Sequence, residues 1–120
     1  MALGELQVDP IRYLATVRGR AIRLSATELR LLARLALDPG AVTTIRALLR
    51  VGWPGVREPD PALLRRPLLR LRRKLAEATA SISIENARGV GYRLVARETS
   101  AGGVDRTDAG ALAEGYAPSR

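Results

Sequence analysis

Leu29, Leu32, Ala33, Ala36 and Leu37 recur at i, i+3, i+4, i+7 and i+8, the spacing of a helix with one face on a core. Ser25-Ala26-Thr27-Glu28 precedes this stripe with the S-x-x-E spacing of a capping box, in which the Ser25 hydroxyl accepts the Glu28 N–H and the Glu28 carboxylate reaches back. Asp38-Pro39-Gly40 ends the helix. A second, shorter helix is predicted from Thr44 as N-cap, with Ile45, Leu48 and Leu49 on its buried side and Gly52-Trp53-Pro54-Gly55 as its stop. Trp53 is the only tryptophan in a chain without phenylalanine, so core filling is its expected role. Asp60-Pro61 resembles an N-cap followed by proline at the first helical position. A third helix then runs to about Ala76, with Leu64, Leu68, Leu71 and Leu75 forming its stripe.

The remaining periodic segments alternate with period two. Residues 5–8 and 12–17 are strand candidates separated by Asp9-Pro10, and residues 21–24 return after an Arg18-Gly19 turn, giving an antiparallel meander. Ile82 and Ile84 alternate in one strand and Tyr92, Leu94 and Ala96 in the next, joined across Arg88-Gly89-Val90-Gly91. The G-V-G is no dinucleotide fingerprint, because a third glycine and a following helix are missing. The predicted order is β-β-β-α-α-α-β-β. Three helices followed by a hairpin form the layout of a winged helix-turn-helix in the α+β class: an N-terminal antiparallel sheet, a three-helix bundle and a C-terminal β-hairpin wing. Residues 1–97 form this domain. Residues 98–120 are rich in glycine, alanine and small polar residues and are expected to be a flexible C-terminal tail, with one helical turn near Ala109–Glu114.

The 120 residues suit one domain, and 47% hydrophobic content is enough for a core. Cysteine and histidine are both absent, which removes disulfides, zinc-finger sites, thiolate nucleophiles and histidine acid–base chemistry. No catalytic set remains, and the chain is read as a non-enzyme without cofactor or metal. No apolar run approaches the roughly 20 residues of a membrane span, and the N-terminus lacks the apolar stretch of a signal peptide, so a cytoplasmic location without membrane contact is expected. The formal net charge is +8. Arginine richness by itself is equally well explained by a GC-rich genome, but its distribution says more. Arg65, Arg66, Arg70, Arg72, Arg73 and Lys74 fall within ten residues that contain no acid. A solvated helix face normally mixes signs, and this one repels itself unless a polyanion faces it. At 100° per residue, Arg66, Arg70 and Arg73 lie opposite the leucine stripe, with Leu69 beside them and Arg72 at the boundary.

L-S-A-T-E-L-R-L-L (24–32), D-P-G-A-V-T-T (38–44), L-L-R-V-G-W (48–53), R-L-R-R-K-L (70–75) and R-G-V-G-Y-R-L (88–94) occur in this order. Together they resemble the effector domain of OmpR/PhoB-type response regulators, over about residues 4–96. The resemblance implies a four-stranded N-terminal sheet and a third helix that enters the major groove. It places Arg70 and Arg72 at positions that commonly contact DNA, Arg88 where the wing approaches the minor groove, and Thr44 at a phosphate-facing helix start. It also implies that the loop Pro54–Asp60 touches RNA polymerase and that two copies pair as a homodimer on DNA. Tyr92 is expected to pack between wing and helix. The sequence departs from the family at Ala62 and Arg65, where arginine and aspartate usually pair, and at Pro67, where a DNA-contacting histidine is frequent. If the third helix starts at Pro61, Pro67 kinks its interior at a cost of about 3 kcal/mol. If it starts near Leu64, Pro67 lies in the first turn, where N–H groups have no helical partner. No receiver domain precedes the motif in these 120 residues, which reads as a stand-alone regulator or a fragment of a longer chain, Met1 favouring the former.

Two functions follow. The first is sequence-selective binding of double-stranded DNA by a transcriptional regulator, with Thr44, Arg66, Arg70, Arg72, Arg73 and Arg88 as the DNA-binding residues. The alternative is a winged-helix protein-interaction module that binds another regulator or RNA polymerase without reading DNA, motivated by Pro67, by the arginine and aspartate missing at Ala62 and Arg65, and by Leu69, an apolar residue on the groove-facing side that suits either a thymine methyl or a protein interface.

Overall fold

The computed structural model describes residues 1–97. Its N-terminal sheet has four antiparallel strands in the order β1 (Ala2–Leu3), β2 (Leu6–Asp9), β3 (Leu14–Val17) and β4 (Arg20–Ile22). The sequence pattern gave the last three within two residues. The two-residue β1, which the family resemblance implied, is too short to show a period of its own. Between β3 and β4 both Arg18 (φ 52°) and Gly19 (φ 82°) are left-handed, which matches the twist of the paired strands. Asp9 makes the wider β2–β3 connection, its Oδ1 accepting the amides of Ile11 (3.0 Å) and Arg12 (3.1 Å). Leu6, Val8, Ala15 and Val17 turn one face of the sheet onto the helices.

Helix α1 (Ala26–Ala36) carries the complete capping box, with Glu28 N–H donating to Ser25 Oγ at 3.1 Å and Ser25 N–H to Glu28 Oε1 at 3.0 Å. Its leucines at 29, 31, 32 and 35 are all buried. Helix α2 (Ile45–Gly52) starts on Thr44, whose Oγ1 accepts the Ala47 amide at 3.1 Å. Arg30 of α1 fastens the other end, donating from Nε to the Val51 carbonyl (2.9 Å) and from a terminal nitrogen to the Gly52 carbonyl (3.0 Å). These are carbonyls that a helix end leaves without partners. Trp53 is half-buried against the core, not the filled-in core residue expected from its rarity.

Both start signals of the third helix are used, in sequence. Asp60 Oδ1 caps at Ala62 N–H (2.9 Å), but the turn it starts, Pro61–Leu64, is a 3-10 turn, and the α-helix α3 occupies Arg65–Ala78. Pro67 therefore stands third in the α-helix, within the first turn, where its missing N–H removes little. The structure selects the late start over the interior kink.

The second sheet holds β6 (Ile82–Ala87) and β7 (Gly91–Ala96), the predicted hairpin, and a short strand β5 (Thr43–Thr44), giving the order β5-β7-β6. β5 had no counterpart in the sequence reading. It pairs Thr43 with Tyr92 and Thr44 with Gly91, so the residue capping α2 is also stitched to the base of the wing. The buried core runs from the first sheet through Leu31, Leu32, Leu48, Leu71 and Leu75 to Leu94, linking all layers. The tail expected over 98–120 lies outside the described residues.

Candidate nucleic-acid interface

Burial of the leucine stripe fixes which way the arginines of α3 point. Leu64, Leu68, Leu71 and Leu75 are each at most 3% exposed, and Arg65, Arg66, Arg70, Arg72 and Arg73 are exposed. A helix anchored along one side must present its opposite side outward, and here that side is cationic. Among the described residues, no ion pair engages Arg66, Arg70, Arg72, Arg73 or Arg88. Three of the described carboxylates pair with other arginines: Asp9 lies by Arg12, Glu5 by Arg18, and Glu85 holds Arg93 across the hairpin at 2.9 Å.

Lys74 does not belong to the outward positive face. Its Nζ lies 2.6 Å from Oε1 of Glu28, a carboxylate only 3% exposed, so its charge is neutralised within the fold. The acid-free run of the sequence thus concealed a counter-charge 46 positions away. The capping carboxylate also ties α3 to α1, which no local motif announces.

Arg72 takes a specific position at the edge of the face, its guanidinium 5.8 Å from the centroid of the Tyr92 ring. Tyr92 is half-buried against the core, between wing and helix as expected, and its ring supports the arginine by a cation–π contact. Arg88 is exposed on the loop between β6 and β7, which closes through Val90 N–H to the Ala87 carbonyl at 2.9 Å with Gly89 at φ 77°. The amide of Ile45, the first residue of α2, donates to the Val90 carbonyl at 3.1 Å. The wing loop, the start of α2 and Thr44 are therefore adjacent, and Thr44 is exposed. The α3 arginines form one face, while Thr44 and Arg88 belong to a second cluster joined to it through β5, β7 and Tyr92.

Sequence reasoning passed over Arg46 and Arg50. Both are exposed on α2, one turn apart and away from Leu48 and Leu49, and they edge a groove of about 470 Å³ that Trp53 and the following loop complete. Their i, i+4 spacing opposite the apolar residues was the available signal. The groove lies along the loop Pro54–Asp60, in which Val56 is 49% exposed. Among the described residues no helix is long and apolar enough to cross a membrane.

Comparison with known proteins places these features in a family. Residues 19–94 match the family model described as "Transcriptional regulatory protein, C terminal". The transcriptional regulatory protein AfsQ1 of Streptomyces coelicolor is 36% identical over 94 residues, covering 78% of this chain and 42% of that protein. The transcriptional regulatory protein TcrA of Mycobacterium tuberculosis is 34% identical over 91 residues, covering 76% of this chain and 36% of its own length. The chain thus spans about two fifths of the curated relatives it matches. The DNA binding domain of CpxR from E. coli superposes with a TM-score of 0.68 at 26% identity, over 82% of this chain and 97% of that one. The DNA binding domain of response regulator AdeR, solved in complex with an intercistronic region, has a TM-score of 0.70 at 20% identity over 82% of this chain and 100% of that chain, a likeness of fold. The chain belongs to the C-terminal domain family of transcriptional regulatory proteins, the OmpR/PhoB-type winged-helix effector domains.

Proposed function

We propose that this domain binds double-stranded DNA sequence-selectively and regulates transcription, with α3 in the major groove and the wing on the backbone or in the minor groove. The observation that carries this reading is the exposure of Arg66, Arg70 and Arg73 on a helix whose opposite side is locked by three buried leucines, Leu68, Leu71 and Leu75, continued by Leu64 of the preceding turn. Guanidinium groups without internal carboxylates keep their full capacity for phosphate and for the O6/N7 edge of guanine. Arg66, Arg70 and Arg73 would read base edges. Arg72, held over Tyr92, and Arg88 on the wing would meet backbone or minor groove, and Thr44 at the start of α2 would meet a phosphate. Relatives named as transcriptional regulatory proteins, and a fold neighbour solved on an intercistronic region, support the assignment.

Replacement of Arg70 by alanine is expected to weaken binding to the preferred duplex by about 1–3 kcal/mol and to relax selectivity at one position. Affinity should fall steeply between roughly 50 and 200 mM salt as released counterions lose their entropic advantage. A gel shift of Arg70→Ala equal to wild type on the selected site would remove α3 from the recognition role. A module that binds only protein predicts no duplex selection and a weak salt response.

The exposed Val56 and the groove beside Trp53 favour one protein contact in addition to DNA. The loop Pro54–Asp60 is proposed to touch RNA polymerase, and a Val56→Asp variant that keeps its gel shift but loses regulated transcription in vitro would bear this out. Two copies on adjacent half-sites complete the proposed assembly, located in the cytoplasm with the DNA.

A further inference from the structure

Leu69 is 54% exposed on α3, and it does not belong to the buried stripe. Its helical neighbours at i−4, i−3, i+3 and i+4 are Arg65, Arg66, Arg72 and Arg73, all four exposed. A branched hydrocarbon is thus ringed by cations on the surface that faces the proposed ligand. Such a ring opposes an ordinary apolar protein contact, because burying Leu69 against a hydrophobic partner would strip water from four arginines without supplying counter-charges. The partner that satisfies both parts offers phosphates and acceptor edges at the perimeter and one small hydrocarbon group at the centre. In the major groove only thymine presents such a group, its C5-methyl. Leu69 also borders a groove of about 410 Å³ that α3 shares with the 3-10 turn, Ile45 and Tyr92, with Arg65 and Arg72 in its lining, so its side chain has free space beside it.

We infer that Leu69 is a specificity-determining residue that selects a thymine by contact with its C5-methyl group, flanked by positions read or clamped by the surrounding arginines. The inference rests on the DNA-binding reading above. It also gives the leucine at this position a positive role, in place of reading it as decay of the recognition helix.

The test begins with the full chain and a duplex chosen from random DNA at physiological salt. Each thymine of that site is then replaced in turn by deoxyuridine, which deletes one methyl group and keeps every hydrogen-bonding edge. Wild type should lose about fourfold in affinity at one position, the factor corresponding to about 0.8 kcal/mol for one buried methyl-sized group. Leu69→Ala should bind the thymine and uracil duplexes equally, and Leu69→Asn should behave in the same way. Val90→Ala, at an apolar position 54% exposed on the wing loop, should keep the full thymine preference. The proposal is overturned if no deoxyuridine substitution costs wild type as much as twofold, or if the same loss persists in Leu69→Ala. It is also overturned, leaving DNA binding intact, if Leu69→Ala instead loses a co-purified protein partner while its thymine response is unchanged. Failure to select any duplex overturns the DNA reading itself, which separates the two claims.

Discussion

At Gly91 the wing backbone lies against that of Thr43 and Thr44, and replacing this glycine with alanine gives a sharp test of the arrangement. A Cβ built there would lie 1.9 Å from the Thr43 carbonyl oxygen, 2.8 Å from its carbon and 2.9 Å from Thr44 Cα. All three are backbone atoms, so no side-chain rotation relieves the clash. Relief requires β5 to retreat by roughly 1.5 Å, which disrupts the Thr43–Tyr92 and Thr44–Gly91 pairing. Loss of about two backbone hydrogen bonds at ~1 kcal/mol each sets the cost near 2 kcal/mol. For a domain of this size that lowers Tm by about 10 °C. Two other glycines separate this mechanism from general intolerance of substitution. Gly89 has φ 77° and open space, so alanine there should cost about 1–2 kcal/mol through backbone strain alone. Gly55 has open space and no left-handed φ, and Gly55→Ala should be neutral or stabilise by up to about 1 kcal/mol. Thermal and urea unfolding followed by circular dichroism ranks the three variants. Because Ile45 N–H donates to Val90, displaced β5 also shifts the wing relative to α3, and DNA affinity should fall even at temperatures where Gly91→Ala is folded. A Gly91→Ala melting curve that overlays wild type would refute the steric argument and the tight β5–β7 contact with it.

Beyond this variant and the Arg70 and Leu69 substitutions, two consequences concern stability. Lys74→Met leaves the nearly inaccessible Glu28 carboxylate without its cation, and should destabilise the domain by about 1–3 kcal/mol in urea titrations while leaving the outward arginines in place. The Glu5 carboxyl is held below its ordinary value by the hydroxyls of Thr79 (2.7 Å) and Ser81 (3.1 Å), with the Arg18 guanidinium adding to the effect. A depressed folded-state pKa means that this contribution is fully present above the ordinary carboxylate range and is lost as pH falls through the lower folded value. Glu5→Gln should therefore bring the Tm of the variant closer to wild type at low pH than at pH 7, and an unchanged difference across that range would remove Glu5 from the linkage.

The sequence alone determined the parts of this protein that depend on local rules. The capping box at Ser25 and Glu28, the Thr44 cap and the leucine stripes at 3.6-residue spacing are contacts between residues a few positions apart. Their order along the chain then specified the winged-helix class, and the position of the arginines opposite the α3 leucines followed from helical geometry. Tertiary structure decided what residues far apart do to one another. Pro67 was ambiguous because two nucleation points competed, and their handover from a 3-10 turn to an α-helix depends on where Leu64 and Leu68 reach the core. Lys74 counted as an outward charge until the fold brought Glu28 to it, and β5 exists only because Thr43 and Thr44 meet an edge of the hairpin nearly fifty residues later. Two-residue strands and buried ion pairs leave no periodic trace, since their stabilisation comes from partners that the chain supplies only after it has folded.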